Sequence, residues 1–315
     1  MNDQLKIAAL AGGVGGAKLA DGLAQVLDPG SLTVIVNTGD DFDHFGLRIC
    51  PDLDTVCYTL AGLANPDTGW GRAGESWTVI NEVESLQGPT WFSLGDRDLA
   101  TSLERTRLRN EGYTLTEITS RFCEAWQVPV RVLPMTDVDY PTLVITDEGE
   151  LSFQEYFVKL KSEPDVRGFI FGESGPNPPT PEVILALQQA DLIVICPSNP
   201  WVSIDPILSL SGLREILHQK TIVAVSPIIG GEAVKGPAAK MFRELSIDPT
   251  PASVAAHYAP VLTALVMDQV DDHLEETVRS ERVDVLITDT IMKSRDDRAR
   301  LAKETLDFSR RFISS

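Results

Sequence analysis

At 315 residues, with 43% hydrophobic, 23% charged and 7% aromatic residues, the chain has the composition of an ordinary globular protein with a large core, which excludes a disordered or fibrous class. A formal net charge of -19 excludes polyanions as general partners, so neither a nucleic-acid polymer nor an anionic membrane is expected. A small anionic ligand stays open, because backbone dipoles, a few cations or a metal ion dominate locally inside a cleft.

Met1 to Lys6 lead into the apolar run Ile7 to Ala11, too short for a signal core, and no run reaches membrane-spanning length. Cys50, Cys57, Cys123 and Cys196 contain no CxxC pair, so no disulfide framework or structural zinc is predicted and a cytoplasmic setting is expected. In chain order, Ile7 to Ala11 reads as a buried strand, Ala17 to Leu27 as a helix, Thr33 to Asn37 as a strand and Val56 to Leu63 as helical. The tryptophan-bearing stretch that follows breaks this rhythm, with helices near Asp98 to Asn110 and Thr114 to Trp126 and a hairpin over Tyr140 to Phe157.

The rhythm then resumes, with strands at Gly168 to Phe171, Leu192 to Cys196, Thr221 to Ser226 and Val285 to Thr288. Helices lie at Pro181 to Ala190, Pro206 to His218 and Ser294 to Phe312, and the proline-rich run from Gly175 to Pro181 reads as a rigid approach to the first of these. The predicted fold is α/β and Rossmann-like, a mostly parallel sheet with helices on both faces. Residues 1–60 and 165–315 are expected to form the nucleotide-binding core, and 61–164 an inserted α+β cap region over the sheet.

The run Gly12-Gly13-Val14-Gly15-Gly16-Ala17-Lys18 follows a predicted strand and precedes a helix, placing backbone N–H groups where they can hold phosphate oxygens. It has no third glycine of a dinucleotide fingerprint and no Gly-Lys-Ser/Thr of a Walker loop, so a bare strand-to-helix turn is the competing reading. After the second strand come Asn37-Thr38-Gly39-Asp40-Asp41-Phe42-Asp43-His44, at the sheet edge where open α/β folds bind ligands. Asn37 stands where a nicotinamide enzyme more often carries an acid, which counts against a dehydrogenase.

Pro51-Asp52-Leu53-Asp54-Thr55 opens a helical stretch with two carboxylates, either capping it or sharing a divalent cation with the Asp40-Asp41 pair. Loops at Ser198-Asn199 and at Ser226 end predicted strands with small polar donors, and Lys235 precedes a further helix. Leu94-Gly95-Asp96-Arg97-Asp98 reads either as part of the site or as a capped helix start. Of the histidines only His44 adjoins the acidic loop, and no Gly-x-Ser-x-Gly elbow is present.

These boxes, with Leu133-Pro-Met-Thr-Asp137, Pro197-Ser-Asn-Pro200 and Ser226-Pro-Ile-Ile-Gly-Gly231, occur in an order that resembles the 2-phospho-L-lactate transferase family (CofD/FbiA) of coenzyme F420 biosynthesis over nearly the whole chain. The resemblance implies that the ribityl hydroxyl of the deazaflavin Fo attacks a guanosine diphosphate ester of lactate or enolpyruvate, releasing GMP, with Mg2+ as cofactor. It implies Gly12, Gly13, Val14, Gly15, Gly16 and Lys18 on the diphosphate, Ser198, Asn199 and Ser226 toward the guanosine, and Asn37, Ser93 and Arg97 in the binding set; Lys235 reads either as a cation for a phosphate or as a surface lysine. Asp40 and Asp54 are the implied catalytic and metal-binding residues. Ser93 stands where some members carry a basic residue. A homodimer is the expected assembly. Two alternatives are a CofD-like nucleotide-sugar-binding regulator of the gluconeogenesis-factor type and a nicotinamide oxidoreductase.

Overall fold

The structure is a computed structural model that describes residues 5–172 and 177–313. Met1 to Gln4, and Gly175 and Pro176 of the proline-rich approach, lie outside the described residues. Seven strands form the central sheet: β1 (Ile7–Ala11), β2 (Leu32–Val36), β3 (Arg131–Pro134), β4 (Leu192–Ile195), β5 (Ile222–Val225), β6 (Ala264–Asp268) and β7 (Asp284–Thr288). Their order is β7-β6-β5-β4-β1-β2-β3, and every neighbouring pair is parallel.

β1 is buried throughout, and its alternate residues enter two different cores, Ala8 and Leu10 on one face and Ile7, Ala9 and Ala11 on the other. That two-residue period, on strands covered from both sides, explains the uninterrupted apolar runs in the sequence. The strand order reverses between β1 and β4, which opens a crevice at their carboxyl ends, the usual ligand position in such folds. The predicted α/β class and Rossmann-like sheet are what the molecule has.

Helix α1 (Gly13–Val26) leaves β1 directly and is clamped to the C-terminal helix Arg295–Ser309, whose Arg295 and Arg298 reach the buried Asp21 at 3.0 and 3.1 Å. Helix α2 (Pro51–Leu60) starts on a proline in its first turn and is buried from Asp52 to Leu60. The helices Thr78–Ser85, Asp96–Asn110 and Leu115–Ala125 follow, the last opened by a Thr114/Glu117 capping box.

Several sequence expectations differ from the structure. β3 falls within the 61–164 stretch yet completes the edge of the central sheet beside β2, an assignment its short length hid. The strand expected at Gly168 to Phe171 is Val166–Phe171, and it joins Thr142–Thr146 and Gly149–Ser152 in an antiparallel three-stranded sheet, not the parallel core. Most of its residues are only partly covered, as suits a strand with one wet face. β6 is absent from the predicted strands. The helix expected over Pro206 to His218 is two short helices, Asp205–Leu208 and Leu213–Leu217, because Gly212 takes a left-handed φ of +81 between them.

Candidate active site

At the switch point the ends of β1 and β4 are tied together. Ser198 Oγ accepts the Gly12 amide at 3.1 Å and donates to the Gly12 carbonyl at 2.9 Å. A Cβ at Gly12 would run into the Asp52 carboxylate and Ser203, and one at Gly15 into the Pro197 carbonyl, so the glycine run lets backbones and a carboxylate approach closely. Gly13 has a φ of +60, which a side chain would strain. The structural role of the glycines is therefore real. In addition, first-turn amides such as those of Val14 and Gly15 have no intrahelical partner, and they lie where α1 opens into the cleft.

The cleft has a volume of about 870 Å³. Its lining includes Gly12, Gly13, Val14, Gly15, Lys18, Asp40, Pro197, Ser198, Asn199, Ser226 and Lys235, the α2 residues Asp52, Asp54, Thr55 and Tyr58, and Ser93, Asp98, Phe153 and Phe157. Gly16, Asn37 and Arg97 do not line it. Gly16 packs against Ala11 and Ser198, and the exposed Arg97 donates to the Ala73 carbonyl at 2.9 Å. His44 is buried among Phe42, Phe45 and Trp91, where burial lowers its pKa.

Neither Asp52 nor Asp54 caps α2. Asp52 reaches across the cleft floor, accepting the Gly13 amide at 2.6 Å and the Asn37 side-chain amide at 2.9 Å. Asn37 also donates to the Val202 carbonyl at 3.1 Å, so it braces Asp52 from behind the cleft. Asp40 accepts from Gln154 at 3.2 Å, and its other oxygen lies 3.5 Å from the same Asn37 nitrogen. Burial, and then repulsion from Asp52 and Asp41, raises the Asp40 carboxyl well above the ordinary range. Burial pushes Asp52 up to about 6 against the hydrogen bonds from Asn37, Gly13 and Ser203.

Asp54 is in a buried ion pair with Arg105, and burial pushes its carboxyl up to about 6 against the pull of that guanidinium. Its charge is thus already matched by the protein, whereas Asp40 and Asp52 approach the same Asn37 amide nitrogen, repel each other and have no ion-pair partner among the described residues. Magnesium commonly takes one or two carboxylates and fills its shell with water and phosphate oxygens. Asp40 and Asp52 fit that donor set better than Asp40 and Asp54. Among the described residues no group of three or more histidine, cysteine, aspartate or glutamate side chains is arranged to hold a metal, so further ligands would have to come from substrate and solvent.

The donors expected toward a nucleotide are largely committed to the loops that carry them. Asn199 caps the π-helix Pro200–Ile204 by accepting the Trp201 amide at 3.0 Å, and Ser226 exchanges hydrogen bonds with Ile228 at 3.0 and 3.1 Å. Lys18 is half-buried and donates to the Met292 carbonyl at 2.9 Å; burial, then Arg298 and Lys235, lowers its pKa. Lys235 bonds the Thr68 carbonyl at 2.5 Å. Sequence raises Asp52 and Asp98 within Pro51 to Thr55 and Leu94 to Asp98, each with a capping alternative, but does not choose them as site residues; Tyr58, Gln154 and Ser203 are not chosen either.

The family described as 2-phospho-L-lactate transferase CofD matches residues 7–306. The chain belongs to that family. The CofD chain is 42% identical over 281 residues to a protein named phosphoenolpyruvate transferase from Thermobifida fusca, covering 85% of this chain and 87% of that one. A Streptomyces griseus protein of the same name is 40% identical, covering 97% and 98%. A Methanospirillum hungatei protein named 2-phospho-L-lactate transferase is 38% identical, covering 94% and 98%. A crystal structure of a UPF0052 family member from Bacillus halodurans superposes with a TM-score of 0.62 at 13% identity, covering 97% of this chain and 100% of that one, which shows a shared fold. This CofD protein is an enzyme, a transferase, and the regulator and oxidoreductase alternatives fall away. No helix among the described residues is long and apolar enough to cross a membrane.

Proposed function

We propose that the chain transfers a phosphoenolpyruvyl or 2-phospholactyl group from a guanosine diphosphate ester to the ribityl hydroxyl of Fo, in coenzyme F420 biosynthesis. A bond forms between the acceptor oxygen and the phosphorus bearing the three-carbon acid, the bond from that phosphorus to GMP breaks, and the hydroxyl proton is released. The observation that carries this reading is the close pair of buried carboxylates, Asp40 and Asp52, set against the first-turn amides of α1 at the switch point. The names of the similar proteins supply the group transferred, and those at 40 to 42% identity favour enolpyruvyl.

The protein's own work in such a transfer is alignment and charge stabilisation. In this reading the Val14 and Gly15 amides and the positive end of α1 hold the diphosphate, with Lys18 as the nearby cation. Asp40 and Asp52 would hold magnesium, which when bound would neutralise charge on the phosphate oxygens. Asp54, fixed by Arg105, orients the acceptor hydroxyl. Phe153 and Phe157, stacked with ring centroids 5.4 Å apart, and Trp70 and Phe92 elsewhere in the lining shed water from the acceptor.

The test is direct. Purified protein supplied with magnesium, Fo and either guanylyl-activated phosphoenolpyruvate or phospholactate is expected to release GMP and form a phosphodiester of Fo. Absence of GMP from both donors overturns the proposal, and the ratio of the two rates assigns the three-carbon acid.

A further inference from the structure

The cleft runs along α2 from Asp52, beside the glycine run, to Tyr58, about 9 Å of helix rise further on. At that far end Tyr58 is fully buried, and its hydroxyl donates to Asp98 Oδ1 at 2.7 Å. Asp98 lines the cleft, and its second carboxylate oxygen has no hydrogen-bond partner among the described residues. The backbone beneath it is fixed: the Asp98 amide donates to Glu75 Oε1 at 3.0 Å, the Arg97 amide to Glu75 Oε2 at 2.8 Å, and Ser102 Oγ donates to the Asp98 carbonyl at 3.2 Å. The groups around it are Tyr58, Asp54, Arg105 and Glu75, and the same cleft is lined elsewhere by Ile49, Trp70 and Phe92.

The pair is held in orientation from behind and keeps one acceptor open toward a cleft that also carries aromatic side chains. We propose that Asp98, oriented by Tyr58, accepts the imide N–H of the acceptor's flavin-type ring, so that Asp98 sets acceptor specificity and Tyr58 positions it. The inference rests on the acceptor assigned above. Burial, and then repulsion from Asp54, pushes the Asp98 carboxyl up to about 7, and an N–H donated to its open oxygen would favour the charged form. A ring without that N–H leaves the half-buried carboxylate unpaired, and sites built to bond a polar group reject analogues that lack it.

Tyr58 has a single proton to donate and already spends it on Oδ1. In Asp98→Asn the amide would keep its carbonyl on Tyr58 and turn its NH2 to the ring, so that donor meets donor. The experiment is calorimetric titration of the full-length protein with Fo, with Fo methylated at the imide nitrogen, and with GMP. Wild type is expected to bind Fo at least ~10-fold more tightly than the methylated ring, a ratio that falls to within ~2-fold in Asp98→Asn while GMP affinity is unchanged. Adding Tyr58→Phe to Asp98→Asn should restore part of the ratio, because the amide is then free to turn over. Wild type that binds Fo without discriminating, or Asp98→Asn that keeps the wild-type ratio, overturns the inference. Wild type that binds no Fo overturns the acceptor assignment and the inference with it.

Discussion

Asp40 and Asp54 are both buried, yet they should answer opposite ways to the same substitution. Asp40→Asn removes a charge that burial disfavours and leaves a polar group for Gln154, so the ligand-free protein should melt no lower than wild type while turnover falls by roughly 100-fold or more. Asp54→Asn strands the buried Arg105, and breaking such a pair costs about 3 to 5 kcal/mol, so chemical denaturation should show a clear loss of stability. Equal melting behaviour of the two variants would remove the charge assignment made here. Sequence gives no local signal of this pair, because the guanidinium comes 51 residues later in the chain. The carboxylates themselves were legible, because acids after a strand of an α/β sheet point toward its ligand edge. Which partner each would find was not.

The elements around the crevice were legible to different degrees for physical reasons. β1, β2 and β4 announce themselves as short apolar runs, and the glycine run between β1 and α1 marks the phosphate-binding end. β3 and the three-stranded sheet were hidden by short, half-wet strands whose pairing depends on distant segments. The glycines have a second role that sequence could not reveal, the close fit of α1 against the Pro197 carbonyl. Gly15→Ala should therefore lower the melting temperature by several degrees, since backbone must shift to admit the methyl, and should weaken GMP binding as well. A Gly15→Ala protein with wild-type melting and affinity would show that the crevice is slack at this point.

At the scale of the whole molecule, burial collects carboxyl groups with raised pKa values at one place: Asp40, Asp41 and Asp52, with Asp54 and Asp98 beside them. Each binds its proton more tightly folded than unfolded, where the ordinary value is about 4. Stability from these groups is thus full below about pH 4 and is lost as pH rises through the values of about 6 to 7 at Asp41, Asp52, Asp54 and Asp98. The ligand-free protein should melt several degrees higher at pH 5 than at pH 8, and millimolar magnesium with GMP should recover much of the difference at pH 8. A melting temperature that does not change over this range, or one that rises with pH, would contradict the raised values. The net charge of -19 sharpens the effect without localising it, so Asp40→Asn should flatten the slope.

The position of β1 between β2 and β4 also bears on how the protein is made. β2 follows β1 after a single helix, but β4 begins only at Leu192, so a growing chain carries the open apolar flank of β1 through most of its synthesis. Pairing over such a separation is slow, and an unpaired strand edge invites association with other chains. Nor can substrate help, because the Ser198 hydroxyl that fixes the Gly12 amide arrives with the same late segment. Chains released before residue 192 should accumulate as aggregates, and newly made protein should depend on holding chaperones until β4 has emerged.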